Sequence, residues 1–273
     1  MQLSIVHFSD IHFKEDNNWL DNKTSYLVES IRSETLTSDI IVLVITGDIA
    51  FSGRDKEYYY AMDFLIHIQN EFPNIKFALV PGNHDIDFDH SHNGIRDILV
   101  QNIIEKKSQN TIGNSVFEQC CDSQSNYIEF HDSVLGNEAI FFADENKLLF
   151  KTGHYSENEI SIHIHCINSA WLSQKSENVG KLLFPIGMIQ KSENKADFAV
   201  TIMHHPFNWF DESNAKELQK KLEGISDLIL TGHEHHAEKF SKDNLDGDNT
   251  IYIQGAELQS TSDSEQSGFN LWG

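Results

Sequence analysis

The sequence predicts an α/β protein in which helices cover a sheet. Short apolar segments of strand length alternate with longer amphipathic segments of helical length, and this alternation is typical of such sheets. The continuous apolar run Ile40–Ile45 indicates a strand buried on both faces. Because the 273 residues are 39% hydrophobic, one large core is expected, and residues 1–273 are interpreted as a single domain.

Each strand is predicted from a run of aliphatic and β-branched residues, and each helix from apolar residues that recur every three or four positions. Strands are predicted at Leu3–Phe8, Ile40–Ile45, Phe77–Val80, Ile160–Asn168, Phe198–Met203, Leu228–Leu230 and Ile251–Ile253. Helices are predicted at Thr24–Leu36, Asp55–Asn70, 181–192 and 213–223.

The segment of about 86–150 interrupts this alternation. It contains polar helical stretches at about 95–108 and 116–135, followed by a hairpin-like stretch, Ala139–Phe150. Two interpretations stay open: an insertion that covers or shapes a site like a cap, or an ordinary helical layer.

The charge of the chain excludes strong attraction to nucleic-acid backbones and anionic lipid. Lys and Arg number 20 against 42 Asp and Glu, a formal net charge of −22. A phosphorylated ligand therefore requires a local cationic feature such as a bound metal, for which the 15 histidines offer ligands. Neither a signal peptide nor a bilayer-spanning run is recognisable, and Cys120, Cys121 and Cys166 are interpreted as reduced thiols, so we expect a cytoplasmic protein without membrane contact.

Five short polar motifs each follow a predicted strand. They are Asp10-Ile11-His12, Gly47-Asp48, Gly82-Asn83-His84-Asp85, His204-His205-Pro206 and Gly232-His233-Glu234-His235. Because ligands bind at the carboxyl ends of strands in open α/β sheets, the motifs should converge. Their Asp, His and Asn donors suit Mn, Fe, Zn or Ni. Asp10 and His12 have the spacing that lets two side chains share one ion, as do His233 and His235, so the sequence predicts a dinuclear metal site.

The ordered set of motifs resembles the calcineurin-like metallophosphoesterase superfamily from Asp10 to His235. The resemblance implies a four-layer αββα sandwich and two divalent metal ions, with Mn²⁺ expected first and Fe, Zn or Ni as alternatives. It implies that the first ion is bound by Asp10, His12 and His235, the second by Asn83, His204 and His233, and that Asp48 bridges both through its two carboxylate oxygens. It also implies two catalytic side chains: His84 would contact the substrate phosphate and protonate the leaving oxygen, and Asp85 would orient His84.

The chemistry of such a site supports these roles. Two divalent ions roughly 3.5–4 Å apart clamp the attacking and leaving sides of a phosphoryl centre. A water between them becomes a hydroxide near neutral pH and attacks the phosphorus in line. General acid catalysis by His84 is expected to contribute roughly 10²–10⁴-fold in rate.

The motifs also favour one branch of the superfamily. The protein phosphatase branch resembles G-D-x-V-D-R-G and G-N-H-E, whereas this chain continues from Asp48 as Ile-Ala-Phe-Ser-Gly-Arg and ends its third motif in Asp85. We therefore expect a phosphodiesterase or nuclease acting on a nucleotide or nucleic acid. The alternatives are a phosphomonoesterase for nucleotides or small metabolites, and a non-catalytic interaction module. The chain also resembles metallophosphoesterase domains fused to large NTPases in prokaryotic defence proteins, which suggests a fused domain or protein partner and a longer parent protein.

Several other polar residues have two interpretations each. Arg54 either reaches a substrate phosphate or forms a salt bridge at a helix start, which is favoured. His205 either turns into the substrate entrance or packs beneath it, with neither favoured. His163 and His165 form either an extra metal site or a pair on a half-exposed strand, which is favoured. A solvated loop is favoured over an entrance-shaping one for four residues: Asp87, Asp89, His90 and His92.

Three further expectations concern polar and aromatic neighbours of the motifs. Asn168 and Ser169 are expected near the site, His7 is expected to be structural, and His236 is expected to be solvated. An aromatic cluster after His204-His205-Pro206 either stacks a nucleobase or belongs to the core, and its members are Phe207, Trp209 and Phe210.

Overall fold

The computed structural model describes the following residues: 2–16, 18, 20–90, 93–135, 140–142, 148–157, 160–190, 196–243, 249–259 and 268–272. The strands within them are β1 (Leu3–Phe8), β2 (Ile40–Thr46), β3 (Lys76–Val80), β4 (Ile140–Phe142), β5 (Phe150–Glu157), β6 (Ile160–Ile167), β7 (Phe198–Met203), β8 (Leu228–Thr231), β9 (Glu238–Asp243), β10 (Asn249–Gln254) and β11 (Asn270–Trp272). The α-helices are α1 (Leu20–Glu34), α2 (Asp55–Glu71), α3 (Asn93–Lys106), α4 (Asn114–Cys121), α5 (Ser125–Leu135) and α6 (Glu212–Glu223).

The strands form two mixed sheets whose centres are parallel. The first sheet has the order β11-β1-β2-β3 and the second the order β4-β5-β6-β7-β8-β10-β9. β1, β2 and β3 run parallel, as do β6, β7, β8 and β10, while the antiparallel pairings lie toward the sheet edges. Parallel neighbours end at the same edge of a sheet, so the loops that follow them are brought together.

The two sheets pack face to face and are covered by helices on both outer faces. Buried residues of both sheets, such as Val44 and Ile202, form the layer between them. Helices α1, α2 and α5 pack on the outside of the first sheet, and α3, α4 and α6 on the outside of the second. The expected four-layer αββα sandwich is confirmed.

Most predicted elements are present within a few residues, and one is wrong. β1 and β7 begin and end at the predicted residues, while α1 begins four residues before its prediction. The predicted helix at 181–192 is absent from its described part, 181–190, which contains only a short 3₁₀ turn, Ile186–Met188. Pro185 lacks the N–H that a helix requires and Gly187 disfavours helix, which explains the failure.

The segment 86–150 contributes helices to both outer layers. The stretch predicted as one helix at 116–135 is divided into α4 and α5 by a 3₁₀ turn, Asp122–Gln124. The buried guanidinium of Arg96 in α3 donates to the carbonyl oxygens of Cys120, Trp171 and Ser173, which ties this segment to the loop after β6. Of the predicted hairpin, β4 pairs antiparallel with β5, while 139 and 143–147 lie outside the described residues.

Two further expectations concern the cysteine thiols and membrane-spanning helices. Cys120, Cys121 and Cys166 carry free, buried thiols. In the part of the chain that the structure describes, no helix has both the length and the apolar character needed to cross a membrane.

Candidate metal centre

The loops at the carboxyl ends of the strands hold their polar side chains on an unusual backbone. Six of the described non-glycine residues have a positive φ, and five of these are predicted ligands: Asp10 (53°), His12 (55°), Asp48 (53°), His233 (74°) and His235 (59°). Each such residue costs on the order of 1–3 kcal/mol and persists only when its surroundings enforce it. The strained turns direct these side chains into one cleft, which marks the cleft as a functional site.

Close backbone packing enforces these turns. The amide of Asp10 donates to the carbonyl of Gly47 at 3.1 Å, and the amide of His12 donates to that of Asp48 at 2.9 Å. A Cβ atom at Gly47, whose φ is 93°, would lie 2.6 Å from Nδ1 of His204. Glycine is therefore required at this position both for its conformation and for the close approach of His204.

Three of the predicted ligands form a compact triangle of donor atoms. Oδ1 of Asn83 lies 3.0 Å from Nε2 of His204 and 3.0 Å from Nδ1 of His233, and these two nitrogens are 3.1 Å apart. Nδ1 of His204 donates to the carbonyl of Thr46 at 2.7 Å, so Nε2 is the atom that faces the triangle. This is the group predicted for the second ion.

The group predicted for the first ion contains unsatisfied atoms. Oδ1 of Asp10 lies 3.3 Å from Nε2 of His235, while Oδ2 accepts hydrogen bonds from the Ser9 hydroxyl and the His233 amide. Among the described residues, Oδ1 of Asp10 and Nδ1 of His12 are buried without a hydrogen-bond partner. A buried carboxylate oxygen in this state is costly unless a cation satisfies it.

Asp48 connects the two groups through one oxygen. Oδ2 lies 3.4 Å from Nε2 of His204 and 4.0 Å from Nε2 of His12, whereas Oδ1 accepts the backbone N–H of His84 at 2.8 Å. Oδ2 therefore faces both groups, while the backbone holds Oδ1; the bridge through both oxygens stays a prediction.

The electrostatics of the cleft favour cations. Burial alone would lower the pKa of His204, but the carboxylates of Asp48 and Asp10 overcome it and raise the pKa to about 10. Burial lowers the pKa of His12 to about 4 against the same carboxylates, and it lowers that of His233 to about 2, assisted by His205 and His204. His12 and His233 are therefore neutral, which is the form that binds metals, while the two buried carboxylates attract positive charge, as the raised pKa of His204 shows. The donor set fits two divalent ions.

Carboxylates also lie behind the histidines, and sequence analysis missed them. Nδ1 of His235 is 3.2 Å from Oε2 of Glu257, which follows β10. Such a partner fixes the tautomer and orientation of a metal-binding histidine. The Gln259 amide anchors the same loop by donating to the carbonyl of Ile11 at 3.2 Å. The available signal for Glu257 was an acidic residue just beyond the last predicted strand.

The two predicted catalytic residues have different surroundings from those expected. Nδ1 of His84 donates to the carbonyl of Phe51 at 2.6 Å, and the His84 ring lies 4.7 Å from that of His12. The Asp85 carboxylate instead accepts four hydrogen bonds, from Ile49 N, Ala50 N, Gly82 N and the Tyr58 hydroxyl. Asp85 therefore braces the two loops that carry Asp48 and His84, and the backbone of Phe51 orients the His84 ring.

His205 packs beneath the centre, which decides between its two interpretations. It is fully buried, its ring centroid lies 4.6 Å from that of His233, and its Nε2 lies 3.1 Å from Oε2 of Glu177. Ser169 is 3.0 Å from its Nδ1, so the predicted proximity of Ser169 is confirmed. The side chain of Asn168 has a different partner; its amide nitrogen donates to the side-chain oxygen of Gln124 at 2.7 Å.

Other predicted polar residues lie outside the centre. Arg54 forms the favoured surface salt bridges, with Asp89 at 2.9 Å and Glu15 at 3.8 Å. His7 is structural, since its Nε2 contacts the Thr46 hydroxyl at 2.8 Å, and His236 is exposed. In the loop after Asp85, Asp87 is half-buried and His90 lies 3.6 Å from Asp122, while His92 lies outside the described residues.

The expected half-exposed histidine pair on β6 is wrong. His163 and His165 are 4% and 2% exposed, on the face of β6 opposite Ile162 and Ile164, which pack between the two sheets. Nδ1 of His165 contacts the Thr152 hydroxyl at 2.9 Å. Neither residue belongs to a described ligand group of three or more.

The aromatic cluster after His205 divides among different roles. Phe210 belongs to the core of the second outer layer. Trp209 lies 4.2 Å from the ring of His233, and its Nε1 donates to Glu234 at 2.7 Å. Phe207 lines a groove beside the centre.

The fold and the two ligand groups that share Asp48 are those of a metal-dependent phosphoesterase domain. A family model described as calcineurin-like phosphoesterase matches residues 3–237, and the chain belongs to this family.

Relatives and solved structures were compared as well. The chain is 23% identical over 252 residues to the uncharacterized metallophosphoesterase-like protein YydB of Bacillus subtilis (strain 168), covering 86% of this chain and 49% of that protein. The chain thus spans about half the length of that relative. It is 22% identical over 252 residues to a probable cyclic nucleotide phosphodiesterase of Ruthia magnifica subsp. Calyptogena magnifica, covering 89% and 82% of the two chains. A crystal structure of a dimetal phosphatase from Danio rerio matches with 10% identity and a TM-score of 0.48, covering 98% and 91%.

Proposed function

We propose that the chain hydrolyses a phosphodiester in a nucleotide or nucleic acid with the help of two divalent metal ions. The observation that carries this proposal is the convergence of two ligand groups on Oδ2 of Asp48, at the edge where parallel strands end. Asp10, His12 and His235 would hold one ion, and Asn83, His204 and His233 the other. When bound, the ions supply Lewis-acid activation of the phosphoryl group and of water.

His84 provides the general acid in this proposal. A carbonyl oxygen only accepts hydrogen bonds, so the contact with Phe51 fixes a proton on Nδ1 of His84 and leaves Nε2 for the substrate. The ring neighbours His12, which would hold the first ion, so His84 would lie beside a phosphate held there. In its doubly protonated form His84 donates the Nε2 proton to that oxygen.

The charge around the cleft favours a diester over a monoester. A phosphomonoester is a dianion at neutral pH, whereas a diester carries a single negative charge. Arg54, a cation that could serve the substrate phosphate, is engaged by Asp89 and Glu15. The printed names of two relatives, both probable cyclic nucleotide phosphodiesterases, agree with a diester substrate.

The test is a substrate comparison with metal-loaded protein. Protein reconstituted with Mn²⁺, Fe²⁺, Zn²⁺ or Ni²⁺ is assayed on bis-p-nitrophenyl phosphate and p-nitrophenyl phosphate, then on cyclic nucleotides, single- and double-stranded DNA, RNA and mononucleotides. Asp48→Asn serves as the control for activity from a contaminating enzyme. A higher kcat/KM for the diester supports the proposal. Preference for the monoester would replace it by phosphomonoester hydrolysis, and the absence of any hydrolysis with both ions bound would replace it by a non-catalytic module.

A further inference from the structure

A groove lies beside the metal centre on the outer face of the second sheet. It has a volume of about 450 Å³, within the range of small-molecule sites. The residues that matter here are Phe207, Glu234, Glu238, Phe240, Tyr252 and Gln254. None of them belongs to the ligand groups described above.

The groove is continuous with the metal centre. Glu234, which lines it, lies between the ligands His233 and His235, and consecutive Cα atoms are about 3.8 Å apart. Trp209 packs on His233 and donates to Oε1 of Glu234, so it links the ligand to the groove wall. One organic group of a phosphodiester held at the ions can therefore extend into this groove.

The groove offers a surface for stacking. The rings of Phe240 and Tyr252, a cross-strand pair on β9 and β10, lie parallel with centroids 4.6 Å apart and an interplanar angle of 6°. Phe240 is nevertheless 52% exposed, which leaves aromatic surface uncovered on the outermost strand of the sheet. Base–aromatic stacking is favourable, so this surface suits a flat aromatic ligand.

Three residues of the groove wall, Glu234, Glu238 and Gln254, carry hydrogen-bond acceptors. The side-chain amide nitrogen of Gln254 already donates to the carbonyl of His236, which leaves its oxygen, and Oε1 of Glu234 is occupied by Trp209. The carboxylate of Glu238 stands two residues before Phe240, on the same face of β9. The ligand edge that enters must therefore be rich in donors, and a phosphate would be repelled.

The negative charge of the groove is concentrated at its end nearest the metal centre. At the far end, Lys242 pairs with Glu223 at 2.7 Å, so these two charges offset each other. Glu234 and Glu238 remain as negative groups next to the stacking surface.

Among the nucleobases, guanine matches this combination. Its N1–H and N2–H₂ are adjacent donors that meet both oxygens of one carboxylate, whereas adenine and cytosine place a ring acceptor beside their amino group and uracil places carbonyls on both sides of its N–H. We infer that the groove binds the guanine base of the substrate, stacked on Phe240 and read by the Glu238 carboxylate. This inference rests on the proposed function and specifies its substrate.

The first test measures binding without turnover. Guanosine, inosine and adenosine are titrated into the metal-loaded protein by calorimetry; inosine lacks only the 2-amino group of guanosine. Guanosine is expected to bind about tenfold more tightly than inosine, since a hydrogen bond to a charged group is lost. Glu238→Gln should remove that preference, and Phe240→Leu should weaken all three nucleosides together. Glu217→Gln, a change at an exposed carboxylate on α6, should leave the preference intact.

The second test measures turnover. The ratio of kcat/KM for cyclic GMP to that for cyclic IMP should be about tenfold in the wild type and approach one in Glu238→Gln. Equal binding of guanosine and inosine, or a preference that survives Glu238→Gln, would overturn the inference. A guanosine preference without hydrolysis of any diester would instead overturn the proposed function, while the guanine site would stand.

Discussion

Nδ1 of His84 donates to the carbonyl oxygen of Phe51, 2.6 Å away. The third motif offers Asp85 as the obvious partner, but that carboxylate is occupied by Ile49, Ala50, Gly82 and Tyr58. The backbone of the loop that carries Asp48 therefore also orients His84, the proposed general acid. In the proposed mechanism this one loop would couple metal binding to proton donation.

Replacement of His84 separates these two roles. His84→Ala should retain both ions, because the side chain is not one of the proposed ligands, and should lose roughly 10²–10⁴-fold in kcat. The loss should grow with the pKa of the leaving alcohol, so aryl and alkyl esters of one phosphodiester series are compared. Equal rates of the variant and the wild type on an alkyl ester would refute the assigned role.

Replacement of Asp48 should cause the loss of at least one ion and of activity together. Oδ2 of Asp48 lies between the two ligand groups, so Asp48→Asn removes the charge that both ions share. Elemental analysis after reconstitution should fall from two ions per chain to one or none, with hydrolysis of bis-p-nitrophenyl phosphate at background. The matched control is Asp89→Asn on the exposed loop, which should keep both ions. Two ions in Asp48→Asn would contradict the bridging role.

Glu257 should affect the first ion selectively. Its carboxylate lies 3.2 Å from Nδ1 of His235. Glu257→Gln should therefore lower the affinity for the first ion about 10–100-fold and leave the affinity for the second unchanged. Stepwise metal titration measures both affinities, and the melting temperature of the metal-free protein separates a positioning role from a structural one. Glu29→Gln on the exposed surface of α1 is the control. An equal loss of affinity for both ions would contradict the assignment of Glu257 to the first ion.

The fold and the clustering of the candidate ligands were accessible from the sequence, but the supporting contacts were not. The strands that end at the ligands, such as β1 and β7, are apolar runs whose burial dictates their conformation. The predicted ligands lie together because parallel strands end at one edge. Glu257 and the carbonyl of Phe51 went unrecognised, because a partner brought close only by tertiary packing leaves no periodic signal.

His163 and His165 show a second limit of sequence analysis, which concerns burial. Alternation along β6 correctly placed both histidines on one face, but periodicity does not reveal what covers that face. Both side chains are buried, so a face that was expected to be half-exposed is interior.

This burial predicts a pH dependence of stability. Burial lowers the pKa of His165 to about 4, with a contribution from nearby His163, so the folded protein binds this proton more weakly than the unfolded chain. The neutral His165 ring therefore contributes fully to the free energy of unfolding above the ordinary histidine pKa of about 6.5. This contribution is lost as the pH falls toward 4. Between pH 7 and pH 5 the loss from this residue should be about 2 kcal/mol.

Urea unfolding at both pH values tests this expectation. The drop in unfolding free energy should be smaller in His165→Gln than in the wild type, and His67→Gln on the exposed side of α2 controls for loss of an imidazole. An NMR titration of the His165 ring in the wild type gives the same information without a variant. A ring that titrates near 6.5 in the folded protein would contradict the prediction.

The most direct measurement is a crystal structure with Mn²⁺, with anomalous scattering used to locate the ions. Two ions per chain are predicted, one on Asp10, His12 and His235 and one on Asn83, His204 and His233, with Oδ2 of Asp48 between them. Ions bound elsewhere, or these side chains turned away from one another in the presence of the metal, would contradict the account.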